Sequence, residues 1–318
     1  MKAVTYQTYG PPDVLNLVDL PKPTPAAGEL LIRVRATSVT SGDARMRAFD
    51  IPGPFRIPAR FMLGYPTPKS PVLGYDFAGE VEAIGSGVTR FKPGDRVYGG
   101  AFGSYVEYRT IAQTGAVVHL PAGLSFEEAA SLPFGALTAM YFVQKGAIGP
   151  DQSMLVIGAS GCVGAYSTQL ATHLGASVTA VCSGGNADFA RSQGADKVID
   201  YTKGDYTRTG LYDAVMDSVG AIDFNRAKPL IKRGGVFLNV VMGTADLLAA
   251  MNPFKDGRRL VTGSFDTTQA MLLALNDLIV EGAFRPIIDR KYPIERIRDA
   301  HAYVDSKRKR GSVVVTVS

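Results

Sequence analysis

The stretch SMLVIGASGCVGAYSTQLATHLGA sets three glycines, Gly158, Gly161 and Gly164, directly behind an apolar strand-like run and at the opening of a helical one. A glycine trio alone says little. Between a strand and a helix it describes a backbone that turns sharply and leaves the helix N-terminus open to close approach. The N–H groups and dipole at such a terminus attract an anion, and the pyrophosphate of a dinucleotide suits this spacing. Ser160 and Val163 line the same approach. The competing reading is a tight turn that packs helix on strand and binds nothing.

The surrounding pattern favours the first reading. Short buried-type strands at 153–157, 177–182, 197–199, 214–217 and 235–241 alternate with helical stretches. That cadence predicts a doubly wound parallel sheet with helices on both faces, an α/β fold. It is introduced by SFEEAASLPFGALTAMYFV, where Ser125 is placed to cap a helix with Glu128 three residues later. Residues 1–122 instead carry β-rich runs at 30–36 (LLIRVRA), 77–84 (FAGEVEAI) and 105–108 (YVEY), punctuated by Gly and Pro. They read as a compact twisted β-domain with few helices, in which 51–71 (IPGPFRIPARFMLGYPTPKSP) is loop. An apolar helix over 269–281 and a last strand, SVVVTV, suit that first domain better than the parallel sheet. The expected division is 1–122 with 269–318 as one domain and 123–268 as the other.

With 318 residues, 46% hydrophobic and 20% charged, the chain has the material for two globular domains, which excludes disordered and fibrous classes. A net charge of +5 mildly favours anionic ligands. Two cysteines, Cys162 and Cys182, are too few for a disulfide framework or a four-cysteine zinc knuckle. The N-terminal residues lack the apolar core of a secretory leader, and no segment approaches ~20 apolar residues. A cytoplasmic protein without a membrane span is expected.

The second strand of the parallel sheet ends VCSGGN, with no acid before Asp188. An Asp or Glu there would accept from the ribose 2′-hydroxyl of NAD and repel a 2′-phosphate. Its absence, with Ser183 and Asn186 as donors, points to NADPH. No Arg or Lys stands in SGGN, so Tyr201 or a residue of the basic run Lys307 to Arg310 is left to complete the phosphate site; for the basic run, a solvated helix end is the competing reading.

The segment LGYDFAGEVEAIGSGVTRFKPGDRV, with Gly74, Asp76, Gly79, Val81, Gly85, Val88, Gly94, Asp95 and Val97, resembles the medium-chain dehydrogenase/reductase superfamily. Within it the chain is similar to the zinc-independent quinone oxidoreductase branch. FGSYVEY, SFEEAASLPFGALTA, GASGCVG, VIDY and RKRGSVVVTV follow in that family's order, so the likeness runs nearly the full length. It implies a GroES-like catalytic domain, a Rossmann domain, and an active site in the cleft between them. It also implies that Thr138 and the loop around Val219 lie near the cofactor, and that the chain forms a homodimer through edge strands of the Rossmann sheets. Cys162 departs from the small residue many relatives carry beside the phosphates; its amide still donates, and its thiol is either inert and buried or redox-sensitive.

The same resemblance argues against a catalytic metal. Ser41 and Gly42 stand where a ligand Cys would be sought, and Tyr75 stands in place of the His of the family's GHE motif. His119, His173 and His301 lie outside this region and read as surface or helix residues. Without a Lewis acid, alcohol–aldehyde interconversion is disfavoured, whereas a quinone or enone spreads incoming charge by conjugation. Tyr75, Thr40, Asp43 and Arg47 are the polar candidates for that site, Tyr75 first as a hydrogen-bond or proton donor. Phe102, Phe134, Met242 and Phe265 are candidate apolar walls. Two alternatives stay open: an enal or enone reductase without quinone activity, and a non-catalytic NADPH-binding or RNA-binding protein drawing on Lys307 to Arg310 and Lys255 to Arg259. No stacking aromatics accompany those basic clusters, so nucleic acid is not the expected partner.

Overall fold

The computed structural model describes every residue except Met242, Thr244, Ala245 and 247–256, and for Pro54 the backbone alone. Met242 and Lys255 therefore lie outside the described residues. In chain order the first elements are β1 Lys2–Thr5, β2 Asn16–Asp19, β3 Glu29–Val39, α1 Ser41–Ala48, α2 Arg56–Leu63, β4 Asp76–Ile84, β5 Arg96–Gly100, β6 Tyr108–Ala112 and β7 Val117–His119. Next come α3 Phe126–Ala130, α4 Pro133–Gly146, β8 Ser153–Ile157, α5 Cys162–His173, β9 Ser177–Cys182, α6 Ala187–Ser192, β10 Lys197–Asp200, β11 Tyr212–Asp217, α7 Phe224–Ala227, β12 Ile231–Asn239 and β13 Arg259–Thr262. The chain closes with α8 Gln269–Val280, β14 Ile288–Pro293, α9 Ile297–Asp305 and β15 Ser312–Thr316.

Two compact units result, Met1–Phe134 with Thr267–Glu281 and Arg285–Ser318, and Gly135–Asp266 with Gly282–Phe284. In the first, the sheet order is β14-β15-β3-β4-β5-β7, and β6 also pairs with β3. The returning C-terminus joins here, since β15 runs antiparallel to β3 with Val313 opposite Val39. Leu30, Ile32 and Val34 of β3 meet Phe77, Val81, Val97, Val313 and Val315 in one apolar core. Branched and aromatic side chains at alternating positions suit such a pleated, half-covered surface.

In the second unit the order is β10-β9-β8-β11-β12-β13, every pair parallel. This is the doubly wound arrangement, with its order reversing between β8 and β11. Met154 to Ile157 are all buried, the continuous apolar run that a strand covered on both faces requires. Leu155, Ile157, Val181, Val215 and Phe237 share one core on a face of this sheet.

Three readings of the sequence need correction. Residues 56–63, expected as loop, form α2; Pro58 is its third residue, where a missing N–H breaks no helical bond. The strand expected at 105–108 begins only at Tyr108, because the Tyr105 N–H donates to Leu73 O and the Val106 N–H to Ser104 O. The helix behind Ser125 is two helices. The Ser125–Glu128 capping box starts α3, and Pro133, which has no N–H to continue it, opens α4.

Candidate functional site

The glycine loop is built as its composition suggests. β8 ends at Ile157, Gly158 turns with φ +77°, and α5 begins at Cys162 with Gly161 as its N-cap. Two of the glycines are demanded by packing. A Cβ on Gly158 would lie 2.5 Å from Val219 Cγ1, and one on Gly164 would collide with Gly158 O. Gly161 differs: its φ is −76°, and the nearest atom to an added Cβ is Gly158 O at 3.4 Å, an ordinary contact. The fold leaves room for a Cβ there, yet the residue is glycine. The first-turn N–H groups of a helix lack helical acceptors, and Gly161 offers no side chain to cap them. An anion set close to the backbone fits that vacancy. Cys162 and Val163 follow in the first turn, both largely buried, with the Cys162 sulfur packed toward Gly135 and Tyr166.

The loop after β11 is fixed from below by Asp217, a residue the sequence reading overlooked. Its buried carboxylate accepts from the N–H groups of Val219 and Gly220 at 2.9 Å and of Ile222 at 2.8 Å. Burial raises its pKa above the ordinary carboxylate value, and the backbone donors oppose that rise. This clasp presents Val219, half exposed, over Gly158. An acid ending a buried strand just before Ser-Val-Gly was the available signal.

Behind β9, residues 184–186 form a short 3-10 turn in which Asn186 Nδ2 donates to Ser160 Oγ at 3.2 Å and to Ser183 Oγ at 3.1 Å. Ser160, Ser183 and Asn186 therefore form one polar cluster. Tyr201, directly after β10, is exposed, and its N–H donates to Cys182 O at 3.2 Å. The carboxylate of Asp200 sits beneath this turn, so close that a Cβ on Gly184 would collide with it. Bonds from the Thr202 hydroxyl (2.7 Å) and N–H (3.0 Å) hold its pKa below the ordinary range. Thr138 lies on α4, largely buried. The run Lys307 to Arg310 follows α9 in the first unit, where Arg308 and Arg310 line a surface hollow with Asp289, Arg290 and Tyr303.

The first-unit candidates separate into two groups. Thr40 caps α1 in a reciprocal capping box: the Asp43 N–H donates to Thr40 Oγ1 (3.0 Å), and Asp43 Oδ2 accepts from Thr40 N–H (2.9 Å) and Oγ1–H (2.6 Å). Asp43 is buried, which raises its pKa to about 6 against these bonds. Arg47 is not an accessible site group. Its guanidinium is buried, bonded to Asp305 Oδ2 (2.7 Å), Gly10 O (3.0 Å) and His301 Nδ1 (3.1 Å). His301, read as a surface or helix residue outside this region, is on helix α9 but fully buried against Arg47. Arginine can only donate, so Nδ1 accepts and the ring proton is on Nε2; burial, then the Arg47 charge, pushes its pKa down to about 3.

Tyr75 is half-buried, edge-on to the exposed Phe102 at 5.0 Å and packed where a side chain on Gly100 would stand. Its carbonyl accepts from Ala101 N–H (2.8 Å), and Ser104 Oγ lies 3.0 Å away. Asp76, next in the chain, is turned away: Oδ2 accepts from Ser38 Oγ (2.5 Å) and Oδ1 from Phe134 N–H (3.0 Å). Of the proposed walls, Phe102 accompanies Tyr75, Phe134 packs near Gly42, and Phe265 stacks on Tyr141 at 4.9 Å in the second unit. Among the described residues no three His, Cys, Asp or Glu side chains converge as a metal site would need.

Comparison with known proteins decides the family. The alcohol dehydrogenase GroES-like domain model matches residues 26–122, and the zinc-binding dehydrogenase model matches 193–315. The 2-methylene-furan-3-one reductase of Solanum lycopersicum is 35% identical, covering 99% of this chain and 79% of the relative. The chain belongs to the medium-chain dehydrogenase/reductase superfamily. Within the superfamily it stands in the quinone oxidoreductase-like branch: the chloroplastic quinone-oxidoreductase QR1 of Triphysaria versicolor is 33% identical over 99% of this chain and 98% of its own. The Escherichia coli quinone oxidoreductase complexed with NADPH matches this medium-chain reductase with a TM-score of 0.83 at 27% identity, over 99% and 100% of the two chains. Its GroES-like and Rossmann-type halves are those of the family.

Proposed function

We propose that this protein carries a hydride from NADPH to a quinone or an α,β-unsaturated carbonyl, without a metal. The observation that carries the reading is Gly161, an N-cap where the fold has space for a side chain but which is left bare at an open helix terminus. Relatives in the family are named as reductases of a conjugated ketone and of quinones, which supports the acceptor class. The donor set of the first unit does not fit zinc: Ser41, Gly42 and Tyr75 stand where thiolate and imidazole ligands would be needed.

NADPH, when bound, supplies the hydride from its nicotinamide ring. The first-turn amides of α5, including those of Cys162 and Val163, would hold its pyrophosphate, with Gly158 and Gly164 shaping the loop. Ser160, Ser183 and Asn186 would receive the 2′-phosphate, with Tyr201 as a further donor. Val219, over Gly158, would border the bound cofactor, and Thr138 of α4 is assigned to it by the family resemblance. As the acceptor carbon takes the hydride, a π pair moves to the acceptor oxygen, and that oxygen takes a proton. Tyr75 donates the hydrogen bond to this oxygen and relays the proton from solvent. Thr40 and Asp43 act on each other, fixing the start of α1.

A homodimer joined along the free edge of β13, and a cytoplasmic location, complete the proposal. Both cysteines are free thiols, as a reducing compartment allows, and no helix among the described residues is long and apolar enough to cross a membrane. An NADPH-consumption screen over quinones, enals and enones tests the reading, with metal analysis of the purified protein alongside. No turnover with any of them, or a stoichiometric metal, defeats it. Activity on enones alone would restrict the acceptor to conjugated carbonyls.

A further inference from the structure

Arg109 of β6 is nine-tenths buried and has no carboxylate partner among the described residues. Its guanidinium lies over the Phe77 ring, 4.6 Å from the centroid. Nη1 donates to Ala101 O at 2.9 Å and to Ser104 Oγ, while Nε is shut from solvent with no hydrogen-bond partner among the described residues. Burial pulls its pKa down to about 10, which still leaves it charged at neutral pH. Keeping an unpaired cation inside a β-domain is costly, and two loop carbonyl and hydroxyl contacts do not require a charge. Tyr75 is close enough that its phenolate form would favour the Arg109 charge, which is to say that the Arg109 charge favours loss of the Tyr75 proton. The nearby carboxylates are turned elsewhere, Asp76 to Ser38 and Phe134, and Asp43 to Thr40. Ser104 ties the two residues mechanically, accepting from Arg109 beside the Tyr75 carbonyl.

We propose that Arg109 is a positioning residue: its unpaired buried cation, acting through Tyr75, makes the phenol a stronger donor and eases the negative charge growing on the acceptor oxygen. This rests on the reductase reading given above. A fixed positive charge in a water-poor setting acts at far lower dielectric than in solution, which is where such help is largest.

The test compares wild type with Arg109→Gln, Arg109→Lys, Tyr75→Phe and the Arg109→Gln/Tyr75→Phe double variant. Arg109→Gln is expected to lower kcat about tenfold with KM within about twofold, Arg109→Lys to restore most of it, and Arg109→Gln to cost nothing further once Tyr75 is Phe. Equal losses in both backgrounds, with no rescue by Lys, would show a purely structural residue and overturn the proposal. A readout independent of turnover is the tyrosinate absorbance titration, wild type minus Tyr75→Phe. It needs no Arg109 variant to fold and is expected to place Tyr75 below the ordinary tyrosine value of about 10; a value above it refutes the inference. Absence of any quinone or enone turnover in wild type would defeat the reductase reading, while this titration would still decide the role of Arg109.

Discussion

Asn186 Nδ2 donates to Ser160 Oγ at 3.2 Å, so the turn that ends β9 is bonded directly to the glycine loop that ends β8. The amide also reaches Ser183, making Asn186 the hinge of a neutral polar cluster. Asn186→Asp keeps the shape but installs a carboxylate where a 2′-phosphate is proposed to sit. The expected outcome is at least tenfold weaker NADPH binding with NADH binding changed less than about threefold, an electrostatic effect of ~1.4 kcal/mol or more. Isothermal titration with both cofactors measures it, and equal losses for the two would remove Asn186 from the phosphate site.

Gly161 and Gly164 should separate binding from folding. Gly161 has a φ open to any residue and space for a methyl group, so Gly161→Ala should cost less than about 1 kcal/mol of stability yet weaken NADPH at least tenfold. Gly164→Ala drives a methyl into Gly158 O and should cost about 2 kcal/mol before any cofactor is added. Thermal unfolding with and without NADPH distinguishes the two.

Asp217 holds three backbone N–H groups, and removing its buried carboxylate takes away their shared acceptor, leaving that of the buried Ile222 cut off from water. Asp217→Ala is expected to destabilise the protein by about 3 kcal/mol. Because Val219 rides on that loop above Gly158, Tyr75-dependent turnover at saturating NADPH should survive while the KM for NADPH rises. Urea unfolding and steady-state kinetics provide the check.

Asp43 makes stability depend on pH in a direction opposite to that of most aspartates. Its folded pKa of about 6 exceeds the ordinary 3.8 because burial outweighs the Thr40 bonds, so the folded protein binds a proton the unfolded chain has released between those values. Stability from this group is therefore full below about pH 4 and is lost as pH rises to 6. His301, pushed down to about 3, works the other way: its contribution is full above 6.5 and is lost as pH falls toward 3. Asp43→Asn leaves the histidine effect in place. Relative to wild type it should gain up to about 3 kcal/mol between pH 4 and 6.5 and nothing further above, read from urea midpoints. A difference that does not vary with pH would contradict the buried ionised carboxylate.

What could be read without coordinates was what local chain chemistry dictates. The run Met154 to Ile157, the spacing of Gly158, Gly161 and Gly164, and the Ser125–Glu128 box act through neighbours within a few residues, and each appears where its pattern placed it. The bounds of β8 and β9 match the sequence reading because an unbroken apolar run between turns has no other way to bury both faces. α2 was misjudged because its proline, Pro58, would be a breaker only in a helix interior, and a string of residues does not say which turn a proline will occupy.

The polar side chains divide along the same line. That Arg47, Asp43 and Arg109 are ionisable is plain from the letters; that Arg47 is spent on Asp305 and His301, that Asp43 is shut in with Thr40, and that Arg109 meets no carboxylate among the described residues depends on residues up to 258 positions away. Sequence alone determined the two-part α/β architecture and the glycine turn between β8 and α5, because each follows from residue type at short spacing. Only the tertiary structure decided which charges are paired, which are buried and which glycine is bare, since desolvation and pairing are set by whatever the folded chain brings within a few ångströms.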